Sequence, residues 1–175
     1  MRRLRYNVAV SLDGFIAGSK GEIDWILMDS TVDFAAIFNE FDTLLMGSKT
    51  FEVLQAQPPG DLMSGKQIVV VSHTLKKEDH PNITIISDHL IERVSSLKEM
   101  TGKDIWLFGG GILFRNLLDA RLVDTVELAV MPIFLSQGIP VLPSGQRSSL
   151  FHLETSKILS SGIVMLTYSV IYRAA

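Results

Sequence analysis

The sequence predicts an α/β protein with a central mixed, mostly parallel sheet, flanking helices and a C-terminal antiparallel hairpin. Three features predict it. Short β-branched or apolar runs alternate with stretches of helical spacing over most of the 175 residues, the pattern of a sheet built from strand–helix–strand units. Several of these runs end in glycine or small polar residues that open directly into a helical stretch. The last two apolar runs, by contrast, follow each other around Ser160-Ser161-Gly162, which pairs neighbours antiparallel and makes the sheet mixed.

The elements follow in order. Residues 6–10 form a buried strand that breaks at Ser11-Leu12-Asp13-Gly14 and continues as a loop through Gly18 and Gly21 to Trp25. Residues 33–41 set Phe34, Ile37, Phe38 and Phe41 at helical spacing, with Asp33 suited to the exposed N–H groups of a first turn. Residues 43–46 are a short strand, Gly47 a turn, and 50–55 a helix halted at Pro58-Pro59-Gly60. Residues 68–71 and 83–86 are β-branched strands, 90–100 a helix and 105–108 another buried strand. Gly109-Gly110-Gly111 then leads into a helix over 112–118 and a strand over 125–130. Residues 153–159 and 163–172 make the hairpin. No repeat, low-complexity tract or linker interrupts the chain, so a single domain over 1–175 is expected.

Composition narrows the function. Hydrophobic residues are 47 % and charged residues 20 %, the balance of a packed globular protein. A net charge of -3 gives no field for nucleic acid, and the one dense basic stretch, Arg2, Arg3 and Arg5, reads as a solvated edge. There is no cysteine, which excludes disulfides and thiolate metal sites and agrees with a reducing cytoplasm. No apolar stretch approaches the ~20 residues that span a bilayer, so a soluble, intracellular protein without membrane partners is expected. The histidines, at 73, 80, 89 and 152, lack metal-ligand spacing, and no serine sits in a nucleophile elbow. Neither a metal nor an acyl-transfer triad is assigned.

Chemistry gathers at three strand ends. Ile105-Trp106-Leu107-Phe108 runs into three glycines and a helix, where Gly109, Gly110, Gly111, Ile112 and Leu113 can offer backbone N–H groups to a pyrophosphate. It is not the G-x-G-x-x-G fingerprint, since Phe114 breaks the spacing. Gly47, Ser48, Lys49 and Thr50 place hydroxyls and an ammonium at a second helix start. Ser72, His73 and Thr74 cluster after a third strand. Taken singly, the three glycines fit a structural turn as well as a phosphate site, and the other two clusters fit an ordinary helix cap and a polar loop better. Together they point to a phosphate-bearing ligand, because open α/β sheets bind at strand carboxyl ends.

With these residues in place, the chain resembles the dihydrofolate reductase superfamily, and most closely its branch shared with the reductase domain of bacterial riboflavin biosynthesis. The matching segments come in the family's order: Val8-Ala9-Val10 with Ser11-Leu12-Asp13-Gly14, then Leu45-Met46-Gly47-Ser48-Lys49-Thr50-Phe51-Glu52, then Val71-Ser72, then Phe108-Gly109-Gly110-Gly111. The resemblance implies a three-layer dihydrofolate reductase-like fold and NADPH as cofactor. It implies that the Ala9 backbone faces the nicotinamide carboxamide. Gly47 to Thr50 and Gly109 to Leu113 would hold the pyrophosphate, and Ser72 and His73 would lie near the adenosine ribose and its 2′-phosphate. It also implies a cis bond between Gly109 and Gly110 and a homodimer. Asp33 matches the carboxylate that binds the pterin ring in folate reductases and is the candidate catalytic group, with a helix-capping aspartate as the alternative.

Two departures bear on function. Folate reductases carry arginine directly after the first glycine where this chain has Ser48, which leaves Lys49 and His73 as the cations for a 2′-phosphate. The Ser-Leu-Asp-Gly signature is similar to the riboflavin-type reductases, although no deaminase domain is expected ahead of it. The expected activity is NADPH-dependent hydride transfer to a C=N or C=O of a pteridine, pyrimidine or sugar-derived substrate, similar to 5-amino-6-(5-phosphoribosylamino)uracil reductase. A true dihydrofolate reductase and a non-catalytic nucleotide-binding sensor are the rivals.

Overall fold

A computed structural model describes residues 1–56, 64–145 and 150–172. The Pro58-Pro59-Gly60 break expected after the second helix lies outside the described residues. The strands are β1 (Leu4–Ser11), β2 (Phe15–Ala17), β3 (Phe41–Gly47), β4 (Gln67–Val71), β5 (Thr84–Ile86), β6 (Asp104–Gly109), β7 (Thr125–Met131), β8 (Ile139–Pro140), β9 (Leu150–Ile158) and β10 (Val164–Ile171). The helices are α1 (Phe34–Asn39), α2 (Ser48–Gln55), α3 (Leu90–Glu99) and α4 (Gly111–Asp119).

The main sheet has eight strands in the order β5-β4-β3-β6-β1-β7-β10-β9. The pairings from β5 to β7 are all parallel, and β10 joins β7 and β9 antiparallel. This is the predicted mixed, mostly parallel α/β sheet with its C-terminal antiparallel hairpin. No helix of the described residues is long and apolar enough to cross a membrane.

Two cores fill the faces. Tyr6, Leu45, Val69, Ile105 and Leu107 pack with Val94 and Leu97 of α3 and Leu113, Phe114 and Leu117 of α4. On the opposite face Phe41, Leu44, Met46 and Trp106 pack with Phe51 of α2, and Ile37 and Phe38 of α1 rest on them. The alternation of β1 is visible in two contacts. The Tyr6 ring stacks on Phe114 at 3.9 Å, whereas the Arg5 guanidinium lies 4.6 Å over Phe41 on the other side.

The structure corrects several expectations. The helix over 33–41 is shorter, because Phe41 begins β3, where it pairs with Asp104 and packs under Trp106 at 5.0 Å. The helical spacing of Phe34, Phe38 and Phe41 arises because all three feed one aromatic patch across a helix–strand junction. The basic start is not a solvated edge: Arg2 and Arg5 are buried and ion-paired, Arg2 with Asp42 and Arg5 with Glu127 and Glu40. Arg3 alone is exposed, against Asp104. A second sheet pairs β2 with β8, two elements too short to show any periodicity. Leu159 and Ile163, placed in strands by the sequence, sit buried in the turn between β9 and β10.

Candidate active site

The sheet opens at one place. β1 pairs with β6 only from Leu4↔Ile105 to Tyr6↔Leu107. Beyond that β1 runs on beside β7 as far as Ser11↔Met131, while β6 stays beside β3 as far as Met46↔Gly109. The two strands therefore part at their carboxyl ends, the position at which open α/β sheets receive ligands.

Strand parity decides which groups face the opening. The Ile105 N–H donates to Arg3 O, and the Asp124 N–H to Leu4 O, so odd residues of β1 turn their main chain toward β6 and even ones toward β7. Asn7 O, at the split, accepts the Trp106 indole N–H at 2.8 Å. Ala9 comes next on that side, where β6 no longer pairs with β1, and its N–H and C=O are directed into the gap.

Two helix starts flank the gap. α2 has Gly47 and α4 has Gly110 as N-cap, and neither has a side-chain cap, so the first-turn N–H groups are left to solvent or a ligand. Thr50 lies against Gly109 and Gly110, its Oγ1 3.6 Å from where a Cβ on Gly109 would stand, which brings the two starts together. Gly109 has φ +134, a conformation closed to other residues, and its bond to Gly110 is cis, as the resemblance implied. Gly111 serves packing: a Cβ there would stand 2.8 Å from Pro140 O. A Cβ at Gly47 would meet nothing within 4 Å.

The remaining candidates divide. Ser48 and Thr50 are half-buried at the start of α2, and Lys49 is exposed beside them. Gly47 pairs with Val71, which sets the end of β4 next to this start, with His73 exposed just beyond it. Ser72 is buried, and its Oγ accepts the N–H groups of Thr74 and Leu75, so it holds the turn that presents His73. Ile112 is 72 % exposed on the first turn of α4, whereas the Leu113 side chain is in the core and can contribute only its backbone.

Asp33 is exposed, and its Oδ1 accepts the Ala36 N–H at 2.9 Å as the N-cap of α1. At the other end of α1, Lys66 donates to Phe38 O and Phe41 O, and Lys103 donates to Asn39 O. Burial, then the neighbouring Lys103, pulls the Lys66 ammonium below the usual lysine range. The helix is thus held by its own ends, and Asp33 is not the buried carboxylate that a folate reductase reading requires.

The Ser-Leu-Asp-Gly signature is a loop clamp. Asp13 accepts the Ser11 hydroxyl at 2.7 Å and the N–H groups of Leu135 and Ser136, while Ser11 Oγ accepts the Phe15 N–H. The Ser11 hydrogen bond chiefly, against a smaller opposing effect of burial, and then the two backbone donors hold the Asp13 carboxyl below its ordinary range.

A family model for the RibD C-terminal domain matches residues 2–165. The chain belongs to the RibD C-terminal domain family. It is 34 % identical over 178 residues to the uncharacterized protein YyaP of Bacillus subtilis, covering 95 % of this chain and 94 % of that one. Among solved structures, a Shewanella sp. PV-4 protein named for riboflavin biosynthesis superposes with a TM-score of 0.82 at 24 % identity, over 98 % of this chain and all of that one. Dihydrofolate reductase from Enterococcus faecalis, complexed with NADP(H), superposes with a TM-score of 0.69 at 17 % identity, over 96 % of each chain. These likenesses establish the fold.

Sequence reasoning missed one set of residues in this RibD C-terminal domain. Asn7, Glu127 and Arg5 form a hydrogen-bonded group at the split between β1 and β6. The signal available was the intrusion of charged and amide side chains into two strands that are otherwise apolar.

Proposed function

We propose that this protein is an NADPH-dependent reductase acting on a C=N or C=O of a pyrimidine, pteridine or sugar-derived substrate, of the 5-amino-6-(5-phosphoribosylamino)uracil reductase type. The observation that carries the reading is the crevice where β1 and β6 part, flanked by two helix starts with glycine N-caps and no side-chain caps. First-turn N–H groups of α2 and α4 suit a pyrophosphate, and the open space at Gly47 admits its close approach. The Ala9 backbone suits a carboxamide, which needs one donor and one acceptor side by side. Lys49 and His73, exposed on the β4 side, suit a 2′-phosphate and favour NADPH over NADH. When bound, the cofactor supplies the hydride; the chain supplies orientation and a shielded cleft.

The exposed, capping position of Asp33 favours one second reading, a nucleotide-binding sensor without turnover. A cytoplasmic location and a homodimer accompany both readings. All of β9 except its first residue is exposed, including Phe151, Leu153 and Ile158, and such a strand suits a second copy.

Titration with NADPH and separately with NADH, followed by nicotinamide fluorescence and melting temperature, tests the proposal, because a ligand of the native state raises Tm by mass action. Saturable binding with NADPH preferred is expected. Binding of neither sinks the reading, and NADPH binding without oxidation across a panel of cyclic imines and carbonyls selects the sensor.

A further inference from the structure

The polar group at the split bears on recognition as well as on stability. Glu127, 8 % exposed on β7, accepts the Arg5 Nε at 2.6 Å and the Arg5 Nη2 at 2.9 Å, and its Oε2 also accepts Asn7 Nδ2 at 2.9 Å. Glu40 and Asp104 accept the remaining Arg5 nitrogen, Nη1. Burial opposes the Arg5 charge, but its hydrogen bonds with Glu127 and Glu40 outweigh this and hold the guanidinium above its ordinary pKa. Every bond to Glu127 therefore comes from an N–H donor.

The consequence falls on Asn7. An amide beside an acceptor that is already fixed turns its NH2 toward it, so the carboxamide oxygen is left on the far side. Among the described residues no donor reaches that oxygen. Asn7 is half-buried, at the last point before β1 and β6 diverge, on the sheet face that carries Arg5 and Glu127. Apolar groups stand on both sides: Trp106 with Phe38 of α1, and Ala9 and Ala129 with Trp25 and Ile26. Asn7 and Ala9 are two residues apart along one strand, about 6.6 Å at ~3.3 Å per residue, which is within the span of two adjacent ring systems.

We propose that Asn7, oriented by the Arg5–Glu127 pair, is the specificity-determining residue of the cleft and reads an N–H donor on the ring of the substrate. This rests on the reductase reading and deepens it. Asn7 touches the substrate ring, whereas Glu127 and Arg5 are positioning residues that fix which end of the amide is offered. The ligand class is a cyclic amide or amidine with an unsubstituted ring N–H. A bound ring covers this half-buried acceptor, so the site rejects an analogue that lacks the donor, because the acceptor is then desolvated without a partner.

The test uses uracil, 1-methyluracil and 3-methyluracil as probes, with binding measured by ligand-observed NMR on the NADPH-loaded protein. Wild type is expected to bind one N-methyl isomer at least about tenfold more weakly than the other. Asn7→Leu, similar in size, is expected to level the two isomers while retaining NADPH binding, which reports an intact cleft. Glu127→Gln lets the Asn7 amide turn over and is expected to lose or invert the preference, a change that a merely structural role would not produce. NADPH binding with an unchanged preference in Asn7→Leu, or with no probe bound to wild type, overturns the inference. A preference that survives in apo protein unable to bind NADPH keeps Asn7 as the ring reader and removes the reductase reading instead.

Discussion

The start of α1 and the starts of α2 and α4 solve one problem in opposite ways. Each leaves backbone N–H groups without helical partners. α1 closes the account within the chain, with Asp33 as cap and Lys66 and Lys103 on its last carbonyls. α2 and α4 begin at glycines that bring no cap, and they do so side by side at the mouth of the β1–β6 crevice. The same contrast recurs across the sheet. Asp13, Ser72 and the Arg5–Glu127 pair are hydrogen-bonded within the fold, whereas the Ala9 backbone, Lys49, His73 and the Asn7 oxygen face outward. Polar groups answered inside the protein serve stability, and those left open are the ones proposed to serve a ligand.

The largest test breaks a closed group. Arg5→Met leaves Glu127 buried without its cation, and such a loss costs about 3–5 kcal/mol. Urea unfolding is expected to show a drop of that size with an unchanged m-value. The double variant Arg5→Met with Glu127→Leu should recover most of it, since an apolar pair removes the unpaired charge. A single variant within about 1 kcal/mol of wild type would show that the pair is solvated.

Next comes a pair of glycines with opposite expected outcomes. Gly111→Ala drives a Cβ to 2.8 Å from Pro140 O, and overpacking of this kind costs about 1–3 kcal/mol. Gly47→Ala meets no atom within 4 Å and has φ -82, so stability should hold or rise by up to about 1 kcal/mol. Its methyl stands in the path proposed for the pyrophosphate, and NADPH affinity should fall about tenfold. Equal NADPH affinity in Gly47→Ala and wild type would move the phosphate site away from α2.

How much of this was visible in the residues depends on the range over which each feature is decided. The order of strands and helices was legible, because β-branched runs and glycine turns are local signals, and so were the two glycine starts. Arg2 and Arg5 were misread for a physical reason: the partners that bury them, Asp42 and Glu127, are 40 and 122 residues distant along the chain. Nothing near Arg5 distinguishes it from the solvated Arg3. The β2–β8 sheet was invisible because it depends on two loops meeting, with Asp13 reaching Leu135 and Ser136. Asp33 was legible in type but not in role, since a capping and a ligand-binding aspartate leave the same mark ahead of an apolar helix.

A smaller effect sharpens the open side. Lys49 and His73 are both exposed, and contacts from exposed cations are each worth up to about 1 kcal/mol. Lys49→Gln combined with His73→Gln is expected to weaken NADPH about three- to tenfold, to leave NADH unchanged, and to reduce the salt dependence of NADPH binding. Equal weakening of both cofactors would place these side chains at the pyrophosphate, which the cofactors share, and not at the 2′-phosphate.

The smallest effect concerns the closed side and appears only in acid. The Asp13 carboxyl has its pKa lowered in the folded protein by Ser11, Leu135 and Ser136. A group shifted this way stabilises the fold while the unfolded form would also be ionised, above about pH 4, and the contribution is lost as pH falls through the folded value. Asp13→Asn keeps the size and one acceptor but removes the charge that the two N–H groups address. The Tm of wild type should therefore exceed that of the variant by a constant margin from pH 5 to 8. That margin should shrink steadily below about pH 4 as the wild-type carboxylate is protonated. A margin that persists unchanged to pH 3 would mean that the clamp depends on the shape of Asp13 and not on its charge, and that the Ser11 hydroxyl alone holds the loop against the 135–136 segment.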